Sequence, residues 1–170
     1  MILKSADITG RGAYADIFRR PGDIIAYKLF VSGRHSKKLA QELNRQEDDD
    51  DRRRKTFCSQ CKAYQIAAAD SFLSQHIPNF HGPRTIQAVL DGAHSIADQY
   101  MLNHCYAIEY INGKDTKLGA VAGLAHIVKA LKAFHDAGIH HLIDASVFMP
   151  EDPQNFKFID FALEEYEAYW

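Results

Sequence analysis

The chain has 170 residues, of which 46% are hydrophobic and 25% are charged, and its formal net charge is -2 with neutral histidines. This composition is that of an ordinary globular protein and provides for one domain or two small lobes. The sequence has no basic stripe and no apolar run near the roughly 20 residues that cross a bilayer, so we expect neither a nucleic-acid nor a membrane partner.

The first 31 residues predict three short strands, because β-branched and aromatic residues alternate with two turn signals. The predicted strands are Leu3 to Thr9, Ala13 to Arg19 and Ile24 to Val31, and the turns fall at 10–12 and 20–23. An antiparallel sheet is the simplest arrangement of strands that follow one another so closely.

A highly polar stretch follows at 32–55, which we interpret as a solvated loop or a frayed helix end. Helical periodicity then predicts a helix over about 55–75, which we expect to cover the sheet. Its apolar positions are Phe57, Cys61, Tyr64, Ala68 and Leu73. Further strands are predicted at Thr85 to Leu90 and Tyr100 to Tyr110.

The second half of the chain contains the clearest helical pattern, from Lys117 to Ala137, with Gly138 as its C-terminal stop. A strand-like segment, Phe156 to Phe161, follows after a turn rich in proline and polar residues.

Three cysteines, Cys58, Cys61 and Cys105, are too few for a disulfide framework, which favours a reducing compartment and a cytoplasmic location. Cys58 and Cys61 have the spacing of half a zinc site, which only His104 and Cys105 could complete. Two cysteines three residues apart in a helix simply share a face, so we favour no zinc.

The residues that suggest chemistry begin with a glycine-rich turn, Gly10-Arg11-Gly12, between two strands. Such a turn is common in hairpins, but the next strand places Lys28 among apolar residues, where an ammonium group requires a partner or a ligand. A phosphate group would meet that requirement, although a lysine that extends from a sheet edge into solvent is the alternative.

In this order of segments the chain resembles the protein-kinase-like superfamily. In that family a glycine-rich loop covers the ATP phosphates and a strand lysine binds them. Cys105 to Ile111 is similar to the segment that joins the two lobes, 134–141 to the approach to the catalytic loop, and 158–162 to the Asp-Phe-Gly segment that binds magnesium.

The resemblance implies a two-lobed α+β fold. We expect an N-lobe at 1–111, with a five-stranded antiparallel sheet and one helix, and a truncated, mostly helical C-lobe at 112–170. It also implies ATP and Mg²⁺ as ligands, with Asp160 binding the metal and Lys28, Asp144 and Asp160 as catalytic residues. The residues expected at the nucleotide are Gly10, Gly12, Tyr14, Ala15, Ile17, Lys28, Glu109 and Ile111.

The catalytic loop departs from the family pattern. No aspartate lies two residues after His141, so Asp144 is either a catalytic base displaced by one position or a later loop residue. The asparagine that binds a second metal is missing, since Ser146 or Val147 takes its place. Gln60 takes the place of the glutamate that pairs with the lysine, unless Glu42 or Glu47 substitutes for it.

These departures lead to three hypotheses. The first is a pseudokinase or interaction module that binds ATP weakly or not at all, with a protein partner over the truncated C-lobe. The second is an active minimal kinase that phosphorylates a protein or small-molecule hydroxyl. The third is a nucleotide-free interaction protein in which Lys28 and Asp160 are ordinary ion-pair residues.

Overall fold

The computed structural model describes residues 1–12, 14–33, 50–117, 125–149 and 155–163, and only the backbone of residues 114, 115, 141–146 and 149. The chain divides into two units. The first comprises Met1–Phe57 and His81–Tyr110, and the second comprises Cys58–Phe80 and Ile111–Trp170. The prediction of domains at 1–111 and 112–170 stays a prediction.

The described residues before residue 110 form eight strands: β1 Ile2–Lys4, β2 Ile8–Arg11, β3 Ala15–Phe18, β4 Ile25–Val31, β5 Phe80–Arg84, β6 Ala88–Asp91, β7 His94–Ser95 and β8 Tyr100–Glu109. Five of them form one sheet in the order β2-β3-β4-β8-β5. The pairings of β2 with β3, β3 with β4 and β4 with β8 are antiparallel. A second sheet has the order β1-β6-β7, and in it β1 pairs with β6 in parallel.

One face of the five-stranded sheet contributes to the hydrophobic core of the first unit. Alternate residues of a strand point to the same side of a sheet. On one side of the five-stranded sheet these residues are mainly apolar and pack against the β1-β6-β7 sheet. The buried members of this core are Leu3, Phe18, Leu29, Val31, Ile86, Val89, Tyr100 and Cys105.

Helix α1 spans Asp50–Ala69. Asp50 and Asp51 lie in its first turn, where negative charge is favoured by the helix dipole. In the first unit the Phe57 ring meets the Phe30 ring edge-on, with 5.7 Å between centroids, and lies 6.3 Å from the Tyr106 ring. The start of α1 therefore packs on the sheet face opposite the hydrophobic core.

The second unit contains a three-stranded sheet of β9 Lys114–Lys117, β10 Ile139–Met149 and β11 Lys157–Leu163, in the order β11-β10-β9. Both pairings are antiparallel. Helix α2, Ala125–Asp136, buries Ile127, Ala130 and Phe134. The Phe134 ring lies 5.2 Å from Phe158 and 5.5 Å from Phe161, so α2 and β11 share an aromatic core.

The expected two-lobed kinase-like fold is wrong. The described residues contain eleven strands in three sheets and two α-helices, and the sheets are not arranged as a kinase N-lobe followed by a helical C-lobe. The segment after residue 111 was expected to be mostly helical, but in its described residues the strands β9, β10 and β11 are together longer than the one helix, and β10 and β11 contain β-branched and aromatic residues.

The helix predicted from Lys117 to Ala137 is seen over Ala125–Asp136, and residues 118–124 lie outside the described part of the chain. Glu42 and Glu47 lie outside it as well. Among the described residues, no helix combines the length and the apolar character that a bilayer span requires.

Candidate functional site

The glycine-rich turn connects β2 to β3. Gly10 faces Ile17 across the hairpin, and the Gly12 N–H donates to the Ala15 carbonyl over 2.9 Å. A Cβ at Gly12 would lie 3.1 Å from that oxygen, so the close backbone approach favours glycine there. Because the Gly12 amide is used inside the hairpin, it is not a free donor for a phosphate group in this conformation.

Lys28 lies in β4, the middle strand of the five. Its register partners are Ile17 on β3 and Tyr106 on β8. Its side chain is 9% exposed, and Nζ lies 5.9 Å from the centroid of the Tyr106 ring and 6.0 Å from that of Phe30. Aromatic faces attract an ammonium group at such distances, so the two rings help to hold the buried charge.

Several predicted nucleotide-binding residues share the sheet face of Lys28. Residues that pair directly across neighbouring strands point to the same side, and Ala15 pairs with Phe30 as Ile17 pairs with Lys28. Ala15 is 4% exposed and Ile17 is half-buried. The structure thus places Gly10, Ala15, Ile17 and Lys28 on one face, opposite the hydrophobic core of the first unit.

Tyr14 interacts through its backbone. Its carbonyl accepts hydrogen bonds from the Val31 N–H, over 3.0 Å, and from Nη1 of Arg53, over 3.2 Å. Glu109 is the last residue of β8 and pairs with Ile25, and Ile111 follows the strand in the second unit. Of the two residues predicted to meet adenine, only Glu109 therefore belongs to the unit of Lys28.

Sequence reasoning missed two buried charges in the first unit. Arg53 is 1% exposed and donates to the carbonyls of Tyr14 and Val31, which ties α1 to the sheet. Asp16 is 3% exposed, accepts a 2.8 Å hydrogen bond from Tyr100 Oη and lies 3.6 Å from Arg11. Burial raises the pKa of Tyr100, and its hydrogen bond to Asp16 adds to the effect.

Asp160 lies in β11 with a φ of 59°. This is the left-handed region of backbone conformation, which residues other than glycine seldom adopt. It falls where the register of the β10–β11 pair shifts. Ile159 faces Ser146 and Phe161 faces His141, so residues 142–145 of β10 stand opposite Asp160. The backbone of Asp144 lies within that four-residue segment, so the segment that contains Asp144 stands opposite Asp160.

Helix α1 supports the Asp160 segment within the second unit. The Tyr64 ring lies 4.4 Å from the Phe161 ring, and the Leu163 N–H donates to Ser59 Oγ over 3.0 Å. Burial raises the pKa of Tyr64 well above its usual value, and the negative charge of Asp160 raises it further. The sequence predicted Tyr64 only as an apolar position of the helix and did not indicate that the charge of Asp160 acts on its hydroxyl.

The remaining candidates are Gln60 and the cysteines of α1. Gln60 is 2% exposed and belongs to the second unit, whereas Lys28 belongs to the first. Cys58 is exposed and Cys61 is buried. Within the described ranges, no three histidine, cysteine or acidic side chains are grouped as metal ligands would be.

No protein-family model matches the sequence, and none of the curated proteins matches it. The candidate site consequently depends on geometry alone. Two candidate regions are described separately: the Lys28 face of the five-stranded sheet in the first unit, and the Asp144–Asp160 irregularity between β10 and β11 in the second unit.

Proposed function

We propose that the chain binds a nucleoside triphosphate with Mg²⁺ and transfers its phosphate poorly or not at all, so that it acts mainly by interacting with a protein. The observation that carries the proposal is Lys28, a lysine 9% exposed in the central strand of a sheet. A triphosphate is a ligand whose charge stabilises an ammonium group removed from water.

The environment of Lys28 suits a nucleotide in two further respects. The small side chain of Ala15 and the apolar side chain of Ile17 share its sheet face, and aromatic rings lie beside it. Apolar and aromatic side chains with a few placed charges are typical of nucleotide and cofactor sites. Asp160 supplies a carboxylate, the ligand type that Mg²⁺ prefers.

Weak phosphate transfer is what the resemblance stated for the sequence implies. It assigns Gln60, a neutral amide that hydrogen-bonds but adds no charge, to the position of the charged partner of the lysine. It assigns Ser146 or Val147 to the position of the second metal-binding asparagine. Both changes remove electrostatic stabilisation of a transferring phosphoryl group, which is the main source of catalysis in such enzymes.

A thermal-shift titration with Mg-ATP tests the binding. A ligand at 100 times its dissociation constant adds about 2.7 kcal/mol to the free energy of unfolding. We expect a rise in Tm with the wild type and with Lys132→Met, a control at an exposed lysine that pairs with Asp136. We expect no rise with Lys28→Met. An equal rise in Lys28→Met would contradict the proposal.

Asp160→Asn tests the metal. It should reduce ATP affinity in Mg²⁺ but not in EDTA, because only the metal-dependent part of binding requires the carboxylate. The double variant with Lys28→Met then measures whether both residues act on one ligand. Additive losses would indicate that they do not.

An active phosphotransferase is the second candidate, favoured by the position of the segment that contains Asp144 opposite Asp160. Phosphate transfer from labelled ATP, onto the chain itself or onto a generic substrate, should then occur and disappear in Asp144→Ala. Transfer that persists in Asp144→Ala would remove this candidate, because the residue then plays no part in the reaction.

A further inference from the structure

Two histidines of the second unit contact one phenyl ring. The His76 ring stacks on Phe156, with 4.5 Å between centroids and 13° between planes. The His126 ring lies 5.5 Å from the same Phe156 ring. His76 follows α1 in a 3-10 turn and His126 lies in α2, so two separate elements each place an imidazole against Phe156.

Two lysines join these histidines. Lys129 Nζ lies 5.7 Å from the centroid of the Phe72 ring, which meets the His76 ring edge-on at 5.0 Å. Lys157 Nζ donates to the carbonyl of Gln75 over 2.8 Å, which fixes it next to His76. We call His76, His126, Lys129 and Lys157 the basic cluster.

Within the described residues, no carboxylate lies within ion-pair distance of any of these four side chains. The Nδ1 atom of His76 is buried and has no hydrogen-bond partner in this part of the chain. Burial lowers the pKa of His76, the neighbouring Phe156 backbone raises it, and the charges of Lys157 and His126 lower it.

We propose that the basic cluster binds a phosphate group, either as a free ion or as a phosphate monoester. Phosphate at neutral pH carries close to two negative charges and three strong acceptor oxygens. The two lysines match that charge and the two imidazoles can add hydrogen bonds, whereas a carboxylate supplies one charge and two oxygens.

Histidine NMR resonances of the whole chain provide the test. The pKa values of His76 and His126 are followed in inorganic phosphate and in chloride at equal ionic strength. We expect both values to be higher in phosphate, because the bound anion stabilises the imidazolium form. His81 and His94 belong to the first unit and should respond equally to the two salts.

A pair of variants tests the lysines. The double variant Lys129→Met with Lys157→Met should weaken phosphate binding at least about tenfold, since each substitution removes a charge-assisted hydrogen bond to the anion. Lys132→Met, on the same helix and paired with Asp136, should leave it unchanged. Equal histidine pKa values in phosphate and chloride, or unchanged binding in the double variant, would overturn the proposal.

Two further arms identify the source of the phosphate and separate this site from the nucleotide site. A phosphoserine peptide that competes with phosphate indicates a phosphorylated protein, and lack of competition indicates the free ion. The double variant should keep the Mg-ATP response that Lys28→Met loses. The two proposals share no residue, so either can fail alone.

Discussion

The buried pair of Asp16 and Tyr100 gives the sharpest prediction about stability. Asp16 is 3% exposed and Tyr100 is 5% exposed, and Tyr100 Oη donates to Asp16 Oδ2 over 2.8 Å. Tyr100→Phe removes this donor and leaves the ring in place. A hydrogen bond to a charged group contributes roughly 1.5–3 kcal/mol, so the free energy of unfolding should fall by about that amount.

The remaining partner of Asp16 is a poor substitute. Arg11 lies 3.6 Å away with a side chain that is 63% exposed, and ion pairs of exposed groups contribute little. For a chain of this size each kcal/mol lowers Tm by roughly 2–4 °C, so we expect a decrease of about 3–12 °C.

Urea denaturation and calorimetry of Tyr100→Phe measure both quantities. Tyr110→Phe is the matched control, because its ring lies 3.6 Å from the Arg19 guanidinium and phenylalanine keeps that contact. The control should stay within about 0.5 kcal/mol of the wild type. If Tyr100→Phe also stayed within about 0.5 kcal/mol of the wild type, the hydrogen bond between Tyr100 and Asp16 would not stabilise the first unit.

Three further predictions concern local features. Arg53→Met should cost about 2–4 kcal/mol in urea denaturation, because two carbonyls lose a donor in a buried place, whereas the exposed Arg54→Met should be nearly neutral. Gly138→Ala should cost about 1–2 kcal/mol, because Gly138 has a φ of 72°. The pKa of Tyr100 is raised above its unfolded value of 10.0. The neutral hydroxyl therefore contributes fully to the free energy of unfolding below pH 10, and this contribution is lost at higher pH. Tyr100→Phe should consequently lose less stability than the wild type between neutral and alkaline pH, as measured by urea denaturation.

Strands and helices with strong patterns could be predicted from the sequence. The strand expected at Ile24 to Val31 is seen as Ile25–Val31, because β-branched and aromatic residues fill a central strand. The helix expected at about 55–75 spans Asp50–Ala69 instead. It ends early because the Asp70 carboxylate accepts hydrogen bonds from the amides of Phe72 and Leu73, each over 2.8 Å, and begins a new turn.

The fold class could not be predicted, because the local periodicity of a sequence does not show which distant strands pair. The parallel pairing of Leu3 with Val89 joins residues far apart in the sequence, and no short-range pattern indicates it. No strand was predicted at residues 139–149, yet Ile139–Met149 forms the central strand of the sheet in the second unit. Its partner strand β11 carries Phe158, which pairs with Val147 and packs on Phe134 of α2.

The candidate site was predictable where a residue type contradicts its surroundings. Lys28 was noticeable as a charge in an apolar strand, and it is buried there. Arg53 was hidden, because it stands in a run of charged residues that suggests a solvated loop. Only its position four residues before Phe57, on the same helix face, could have indicated that it is buried.

Variants of Asp160 test whether this residue serves ligand binding or the stability of the fold. An aspartate with a φ of 59° costs the fold energy that glycine would not, and such residues cluster at functional sites. Asp160→Gly should therefore keep or raise the free energy of unfolding, and Asp160→Ala should lie about 1–2 kcal/mol below it. Either change should lower the pKa of Tyr64, because the Asp160 charge raises it.

The stability of the Asp160 variants is to be compared with their binding of Mg-ATP. If Asp160 is kept for its carboxylate, Asp160→Gly must lose the Mg²⁺ dependence of ATP binding while the protein stays as stable as the wild type. If Asp160→Gly instead destabilises the second unit, the aspartate serves the β10–β11 pairing, and its strained backbone has a structural cause. The sign of that one change in unfolding free energy decides between a site residue and a fold residue.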